Sequence, residues 1–335
     1  MRKNIVSIML TVALLFSGCS LLQTRYPLSP IQSSNTELTV GVVKQGNIQN
    51  NLRSGGMIAA RNGELFFCDS IYHERIFGFK NGVYEQLNPT SLIKSQFSLV
   101  FIKYFCYRND LYAYGQIKED DRYVFMKYNE STEEFENCTF DFEPYRNFYL
   151  TDELAVWIDA DHQDALHIRF QDREISVDCG SEVDFCVFDQ KVYYVTAERK
   201  LYGFDPKSPS ANGQLIAALI ENLDRFIVNG ENCVFSKGLD LYAYSFEDDR
   251  IEHIDNSGYT YFSDMTLVDG EIFVSTKEKI YHIAGQKVET VCDCGAESLY
   301  SFDDQYLYLY QFPEEKQIKR VNVTTGAIDE VATFR

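Results

Sequence analysis

The chain has 335 residues, of which 45% are hydrophobic and 15% aromatic, with 23 Tyr, 25 Phe and a single Trp. This apolar content is ample for a sizeable β-rich core, so disorder is not expected. The formal net charge of −19 at pH 7 repels phosphate backbones, so no nucleic-acid partner is expected.

The first segment, MRKNIVSIMLTVALLFSGC, has the three parts of a secretory signal. Arg2 and Lys3 form its positive end, an apolar run follows, and the small residues 17–18 come directly before Cys19. The apolar run is too short to be a good membrane span. A plain secretory signal with an incidental cysteine remains the alternative to the interpretation that follows.

The letters FSGC, residues 16–19, resemble the lipobox of bacterial lipoproteins. The resemblance implies that residues 1–18 are a signal peptide and that Cys19 becomes the lipid-modified N-terminus. The protein would then be exported and anchored to the outer face of the cytoplasmic membrane or to the outer membrane. Cleavage would remove Arg2 and Lys3 and change the net charge from −19 to −21. Membrane contact is therefore expected through the lipid and not through a basic patch.

Residues 19–36 contain two prolines and several serines without any hydrophobic period, and we interpret them as a flexible tether. No second linker follows, so residues 37–335 are predicted to form one domain. Residues 38–43, LTVGVV, read as an extra strand that completes a blade formed mainly by the other terminus.

From residue 55 onward the chain repeats a unit of four short strands. An apolar strand opens each unit, and a turn then leads into an aromatic strand: RNGELFF (61–67), RNDLYAY (108–114), TDELAVW (151–157), FDQKVYY (188–194), NGENCVF (229–235), VDGEIFV (268–274) and DDQYLYL (303–309). Helical periodicity is nearly absent. A lone four-stranded blade cannot bury both faces, whereas a closed ring of blades can. The seven copies, about 35 to 47 residues apart, predict an all-β chain folded as a β-propeller of seven four-stranded blades, with six or eight as alternatives.

Two of the units carry a family resemblance. LFFCDS ahead of RIFGF, and VWIDAD ahead of LHIRF, resemble the YWTD repeat of propellers of the low-density-lipoprotein-receptor type. The resemblance implies that Asp69 and Asp159 are structural hydrogen-bonding residues.

Cys68, Asp69, His73 and Glu74 lie within seven positions and raise the question of a metal or nucleophile site. Other units carry small or β-branched residues at the position of Cys68, so we predict that Cys68 fills the core. No ligand spacing is repeated in another unit, which disfavours a metal.

Eight cysteines follow Cys19, and most are expected to be reduced, with a disulfide between Cys179 and Cys186, or one that involves Cys294, as the alternative. The stretch DADHQD, 159–164, hints at calcium but lacks the glycine and the distant Glu of an EF-hand loop. A solvated acidic turn is the favoured interpretation.

The sequence contains no nucleophile elbow, no His-Glu-x-x-His and no phosphate-binding glycine loop. No catalytic residue, metal or cofactor is therefore assigned. We predict a lipid-anchored, extracytoplasmic, non-enzymatic binding or scaffolding module whose partner is a protein or peptide, favoured to be basic by the charge of the chain. The alternative is an envelope enzyme acting on glycans or peptides, with a site dispersed in the propeller funnel.

Overall fold

A computed structural model describes residues 30–31, 48–68, 76–80, 83–87, 99–117, 122–159, 163–180, 184–208, 213–219, 223–254, 262–285, 287–311 and 317–334. Within these ranges the chain forms 29 strands and one short helix, α1 (Ile48–Arg53). The prediction of an all-β fold is confirmed.

Twenty-eight of the strands form seven blades in chain order. They are β2 (Ile58–Arg61), β3 (Glu64–Cys68), β4 (Ile76–Lys80) and β5 (Val83–Leu87) in blade 1; β6 (Leu99–Tyr107), β7 (Asp110–Ile117), β8 (Tyr123–Asn129) and β9 (Glu134–Cys138) in blade 2; β10 (Pro144–Leu150), β11 (Leu154–Asp159), β12 (Ala165–Phe170) and β13 (Arg173–Asp178) in blade 3; β14 (Asp184–Phe188), β15 (Lys191–Val195), β16 (Lys200–Phe204) and β17 (Gln214–Ala218) in blade 4; β18 (Arg225–Val228), β19 (Asn232–Lys237), β20 (Asp240–Ser245) and β21 (Arg250–Ile254) in blade 5; β22 (Phe262–Val268), β23 (Glu271–Thr276), β24 (Ile280–Ala284) and β25 (Lys287–Cys292) in blade 6; and β26 (Ser298–Ser301), β27 (Tyr306–Gln311), β28 (Gln317–Asn322) and β29 (Ile328–Phe334) in blade 7. The predicted number of blades is confirmed.

Each blade is an antiparallel meander in which the first strand is innermost, and its turns follow from the local sequence. In blade 1, Arg61 pairs with Glu64 across a two-residue turn. Asn62 and Gly63 in that turn both have positive φ, 30° and 79°. Because a two-residue turn of type I′ needs positive φ at both central residues, the Asn-Gly pair sets the register between β2 and β3.

Apolar side chains fill the spaces between neighbouring blades. One cluster joins blades 7, 1 and 2, so the last blade packs against the first and the ring closes. Further clusters join blades 2 and 3, blades 3 and 4, blades 4 to 6, and blades 6 and 7. The aromatic alternation seen in the sequence therefore serves the contacts between blades.

Strand β1 (Pro30–Ile31) adds a fifth strand to the outer edge of blade 7, where Pro30 pairs with Phe334 and Ile31 with Thr333. These two residues belong to the segment interpreted as a tether. The segment 38–43, predicted as an extra strand, lies outside the described residues, as do Cys19 and the signal segment 1–18.

Antiparallel blades give the ring two different faces. We call the face with the turns between first and second strands, and between third and fourth strands, the hairpin face. The opposite face, with the turns between second and third strands and the connections between blades, is the linker face. Among the described residues no helix is both long and apolar enough to cross a bilayer.

Candidate functional site

The centre of the ring is occupied by helix α1. The helix contacts β6, β10, β14 and β26, which are the innermost strands of four different blades. Ile48 and Leu52 are fully buried, as are the polar residues between them, and only Arg53 is partly exposed. A segment that touches inner strands on several sides lies on the propeller axis, so α1 occupies the part of the channel between these strands, where the enzyme alternative would place a funnel site.

Side-chain amides of α1 hydrogen-bond to the inner strands. Gln49 donates from Nε2 to the Phe185 carbonyl and accepts at Oε1 from the Val187 amide at 3.2 Å. Asn51 accepts from the Ser301 amide at 3.2 Å and donates to the Ser301 carbonyl at 3.4 Å. These amides satisfy backbone groups of two blades, which explains why polar residues are tolerated in the buried centre.

A second set of contacts holds the segment after α1. Tyr300 donates to the Ser54 carbonyl at 2.7 Å and accepts from the Met57 amide at 3.1 Å. The Lys103 Nζ donates to the Leu52 carbonyl at 2.9 Å, an acceptor left open by the end of the helix. Blades 2 and 7 are thus both bonded to the chain that enters blade 1.

Charged side chains surround the linker-face end of α1. Lys103, Asp184, Arg225 and Asp264 occupy equivalent positions, because each pairs with the corresponding residue of the second strand of its blade. We call these four residues and Arg53 the axial charge ring. Four inner strands therefore present alternating charge to the end of one helix.

Two ion pairs organise the axial charge ring. Arg53 lies 2.8 Å from the Asp184 carboxylate and donates to the Phe226 carbonyl at 3.0 Å. Arg225 lies 2.5 Å from Asp264, whose carboxylate also accepts from the Leu299 amide at 2.9 Å. Blades 4 to 7 are joined through these contacts.

Burial raises the pKa of Asp184 and of Asp264, and the neighbouring arginines oppose the rise. Asp264 is 2% exposed, whereas the side chain of Arg225 is 41% exposed. Both carboxylates already accept hydrogen bonds from arginine and backbone N–H groups, and α1 occupies the space beside them. Through these contacts the axial charge ring joins the end of α1 to blades 4 to 7, which is a structural role.

The cluster first noted in the sequence is only partly within the described residues. Cys68 is fully buried in the core of blades 7, 1 and 2, so its predicted packing role is confirmed. Asp69, His73 and Glu74 lie outside the described residues. Asp159 is the last residue of β11, with its carboxylate 3.5 Å from His167 Nε2. In the part of the chain that the structure describes, no three side chains come together as a metal site.

The eight cysteines from Cys68 onward are all free thiols. Cys179 and Cys186, the pair considered for a disulfide, are both buried. Burial raises the pKa of Cys138, Cys186 and Cys292 to about 11. A thiol that stays protonated at neutral pH is a poor nucleophile, which fits packing and not catalysis.

Among the described residues, two grooves lie beside turns of the hairpin face, and the connection 139–142 between blades 2 and 3 extends into one of them. The groove between blades 2 and 3 has a volume of about 550 Å³ and contains aromatic residues and two Arg–Asp pairs. The groove between blades 5 and 6, about 750 Å³, is lined by four acidic residues, by Arg250 and Lys287, and by the partly buried ring of Phe246. We call them the 2/3 groove and the 5/6 groove.

The turns of the hairpin face are strongly acidic. The described turns contain fourteen acidic and two basic residues: Glu130, Glu133, Asp152, Glu153, Asp172, Asp189, Asp205, Glu231, Glu247, Asp248, Asp249, Asp269, Asp303 and Asp304 against Arg108 and Lys207. The described loops of the linker face are less biased, with eight acidic residues against four basic ones. The negative charge is thus concentrated where the grooves open.

The axial charge ring and α1 were not foreseen from the sequence. Six residues with a single pair of apolar positions, Ile48 and Leu52, give no periodic helix signal. The charges at one register of four inner strands were a usable signal, because apolar residues dominate the rest of those strands.

Comparisons with known proteins show the fold alone. No family model matches the chain. No match was found among curated proteins either.

A solved structure from a study of two prolyl endopeptidases is 12% identical and covers 83% of this chain and 49% of its own, with a TM-score of 0.54. This chain therefore spans about half the length of that protein. The computationally designed protein Ika8 is 11% identical over 87% of both chains, with a TM-score of 0.50. Hsv2 from Kluyveromyces marxianus is 12% identical over 78% of this chain and 89% of its own, also at 0.50.

Proposed function

We propose that the protein is a lipid-anchored, extracytoplasmic propeller that binds a partner protein or peptide without catalysing a reaction. The observation that carries this proposal is the occupation of the axial channel by α1, whose Gln49 and Asn51 bond to the inner strands. A dispersed funnel site, as the enzyme alternative requires, would compete with α1 for the same space. Ligand contacts are then expected in the grooves and turns of the hairpin face and the linker face.

The charge of the hairpin face supports a basic partner. Glu231, Glu247, Asp248 and Glu252 line the 5/6 groove, and Glu247 and Asp248 are exposed. A face with so few cations of its own attracts a Lys- or Arg-rich segment and speeds its encounter with the protein.

The partner proposal is tested by capture from detergent-solubilised membranes with the lipidated protein as bait. We expect a basic protein that is released by salt and lost in a Glu247→Lys, Asp248→Lys double variant. A Glu278→Lys, Glu297→Lys variant carries the same change in charge on the linker face and should retain the partner. Capture that is equally weakened by both variants, or no specific capture at all, contradicts the proposal.

The anchor is tested separately at Cys19, because the lipobox resemblance places the lipid there. Wild-type protein should fractionate with membranes, and its mature mass should include acyl groups beginning at Cys19. Cys19→Ala should abolish both properties. A Cys19→Ala protein that stays membrane-bound, together with a mature wild-type mass without acyl groups, overturns the anchor.

A further inference from the structure

The 2/3 groove combines an aromatic floor with charged walls. Tyr107 and Phe140 are partly exposed, and their ring centroids lie 6.2 Å apart. Phe142, whose centroid lies 5.5 Å from that of Phe140, is buried beneath them. Phe140 sits in the connection between blades 2 and 3, outside any strand, where one side of its ring packs on the buried ring of Phe125 at a centroid distance of 4.6 Å.

Two Arg–Asp pairs flank this floor. Arg108 of blade 2 lies 2.6 Å from Asp152 of blade 3, and the Tyr107 hydroxyl is 3.2 Å from the same carboxylate. Arg169 of blade 3 pairs with Asp141 of the connection and also donates to the Asp141 carbonyl at 3.1 Å. Each pair ties two segments together and still faces the groove.

The pairs constrain the charge of a ligand. Asp141 and Asp152 each have an arginine partner that already neutralises the carboxylate, so each attracts a lysine less than an unpaired carboxylate would. An anion would meet three carboxylates, because the exposed Glu153 also lines the groove. A neutral ligand leaves both ion pairs intact.

The pairs also define which neutral groups fit. A carboxylate accepts several hydrogen bonds and an arginine has five donors, so each pair offers a hydrogen-bond acceptor and a hydrogen-bond donor at neighbouring atoms. Hydroxyl groups match this arrangement because each donates and accepts. A sugar ring has a rim of hydroxyls and an apolar C–H face that can lie on an aromatic ring. The groove volume of about 550 Å³ is within the range of small-molecule sites, roughly 300 to 1,000 Å³.

We infer that the 2/3 groove binds neutral carbohydrate, with sugar C–H faces on Tyr107 and Phe140 and hydroxyl groups on the Arg108–Asp152 and Arg169–Asp141 pairs. The inference rests on the binding role proposed above and adds to it a ligand class for one groove. The 5/6 groove, with its four carboxylates, remains the surface for a basic partner.

The test begins with the full-length mature protein on an array of neutral, acidic and amino-sugar oligosaccharides, with oligo-lysine as the cationic probe. The neutral oligosaccharide bound best is then titrated by calorimetry. Asp152→Asn and Phe140→Leu should each weaken its binding about tenfold or more. Asp293→Asn, which removes the charge of an exposed Asp paired with Lys279 on blade 6, should leave the affinity within about twofold.

Asp152 is 70% exposed, so its variant is expected to fold even if Phe140→Leu is unstable. The inference is overturned if no neutral oligosaccharide binds, if only oligo-lysine or acidic glycans bind, or if Asp152→Asn binds as well as wild type. If no glycan binds but a basic protein is captured from membranes, the carbohydrate inference is wrong and the proposed binding of a basic partner stands. Cleavage of a bound glycan overturns the non-enzymatic role and leaves the groove assignment standing.

Discussion

Asp264 links three inner strands through a single carboxylate. It accepts from Arg225 of β18, from the Leu299 amide of β26 and from the Met265 amide of its own strand. A buried carboxylate with this many donors is costly to remove, because each donor loses a charged acceptor. It is also costly to ionise, since burial raises its pKa.

The pH dependence of the stability of an Asp264→Asn variant separates the cost of losing the hydrogen-bond acceptor from the cost of ionising the buried carboxyl group. In wild type the folded pKa lies above the unfolded value of about 3.9, so the folded state loses stability as pH rises from that value through the folded pKa. The asparagine variant has no such loss. We expect it to be less stable than wild type by about 1–3 kcal/mol at pH 4, with a smaller deficit at pH 7.

Urea unfolding of both proteins between pH 4 and 7 measures this difference, and the titration of Asp184 cancels because both proteins contain it. A deficit that grows with pH would mean that Arg225 outweighs burial and that the folded pKa of Asp264 is lowered.

Gly56 is required by its surroundings as well as by its backbone. Its φ is 62°, and an added Cβ would lie 2.5 Å from the Cβ of Lys103. Gly285 has a similar φ of 59° with no atom within 4 Å of an added Cβ. Gly285→Ala should therefore cost about 1 kcal/mol from backbone strain alone, and Gly56→Ala about 2–4 kcal/mol. Equal losses in urea unfolding would show that the chain after α1 can move away from β6.

The stability of α1 depends on its contacts with the blades, since six residues are too few for an independent helix. In Gln49→Leu, the Phe185 carbonyl and the Val187 amide lose the partner that Gln49 provides. We expect a loss of about 2–4 kcal/mol by chemical denaturation. Gln214→Leu makes the same change at an exposed position of β17 and should fall within about 0.5 kcal/mol of wild type. Similar losses of unfolding free energy in both variants would show that the hydrogen bonds between Gln49 and the inner strand do not stabilise the fold.

The strands were predictable and α1 was not, for physical reasons. A turn such as Asn62-Gly63 beside alternating aromatics specifies a hairpin locally, and repetition multiplies the signal. Gln49 and Asn51 find their partners in Phe185 and Ser301, more than a hundred residues away. No local pattern encodes such pairing, so the filled channel required the three-dimensional structure.

The same limit applied to the grooves. Tyr107, Phe140 and Arg169 come from three segments that meet only when blades 2 and 3 pack together. The sequence correctly indicated an acidic chain. The concentration of the negative charge on the hairpin face could not be predicted, because it depends on which turns share that face. Cys68 was the opposite case, because its alignment with other second strands was enough to predict burial.

The ring is closed in two places by the N-terminal part of the chain. Outside, β1 adds two residues to β29 of blade 7. Inside, α1 and the segment after it bond to blades 2, 4, 5 and 7, with Tyr300 of blade 7 holding Ser54 and Met57. The inner connection has five buried residues in α1 and bonds to four blades, so it should dominate the cooperativity of unfolding.

Two truncated chains distinguish these contributions. A chain that begins at residue 36 lacks β1 and keeps α1, whereas one that begins at residue 54 lacks both. We expect the first to unfold in one cooperative transition with a Tm within about 3 °C of the full chain. The second should melt about 10 °C lower or over a broadened range, because the inner strands lose the amides and charges of α1. Thermal melts by circular dichroism and calorimetry make the comparison. If the chain beginning at residue 54 melts like the one beginning at residue 36, the blades alone close the ring and α1 is dispensable.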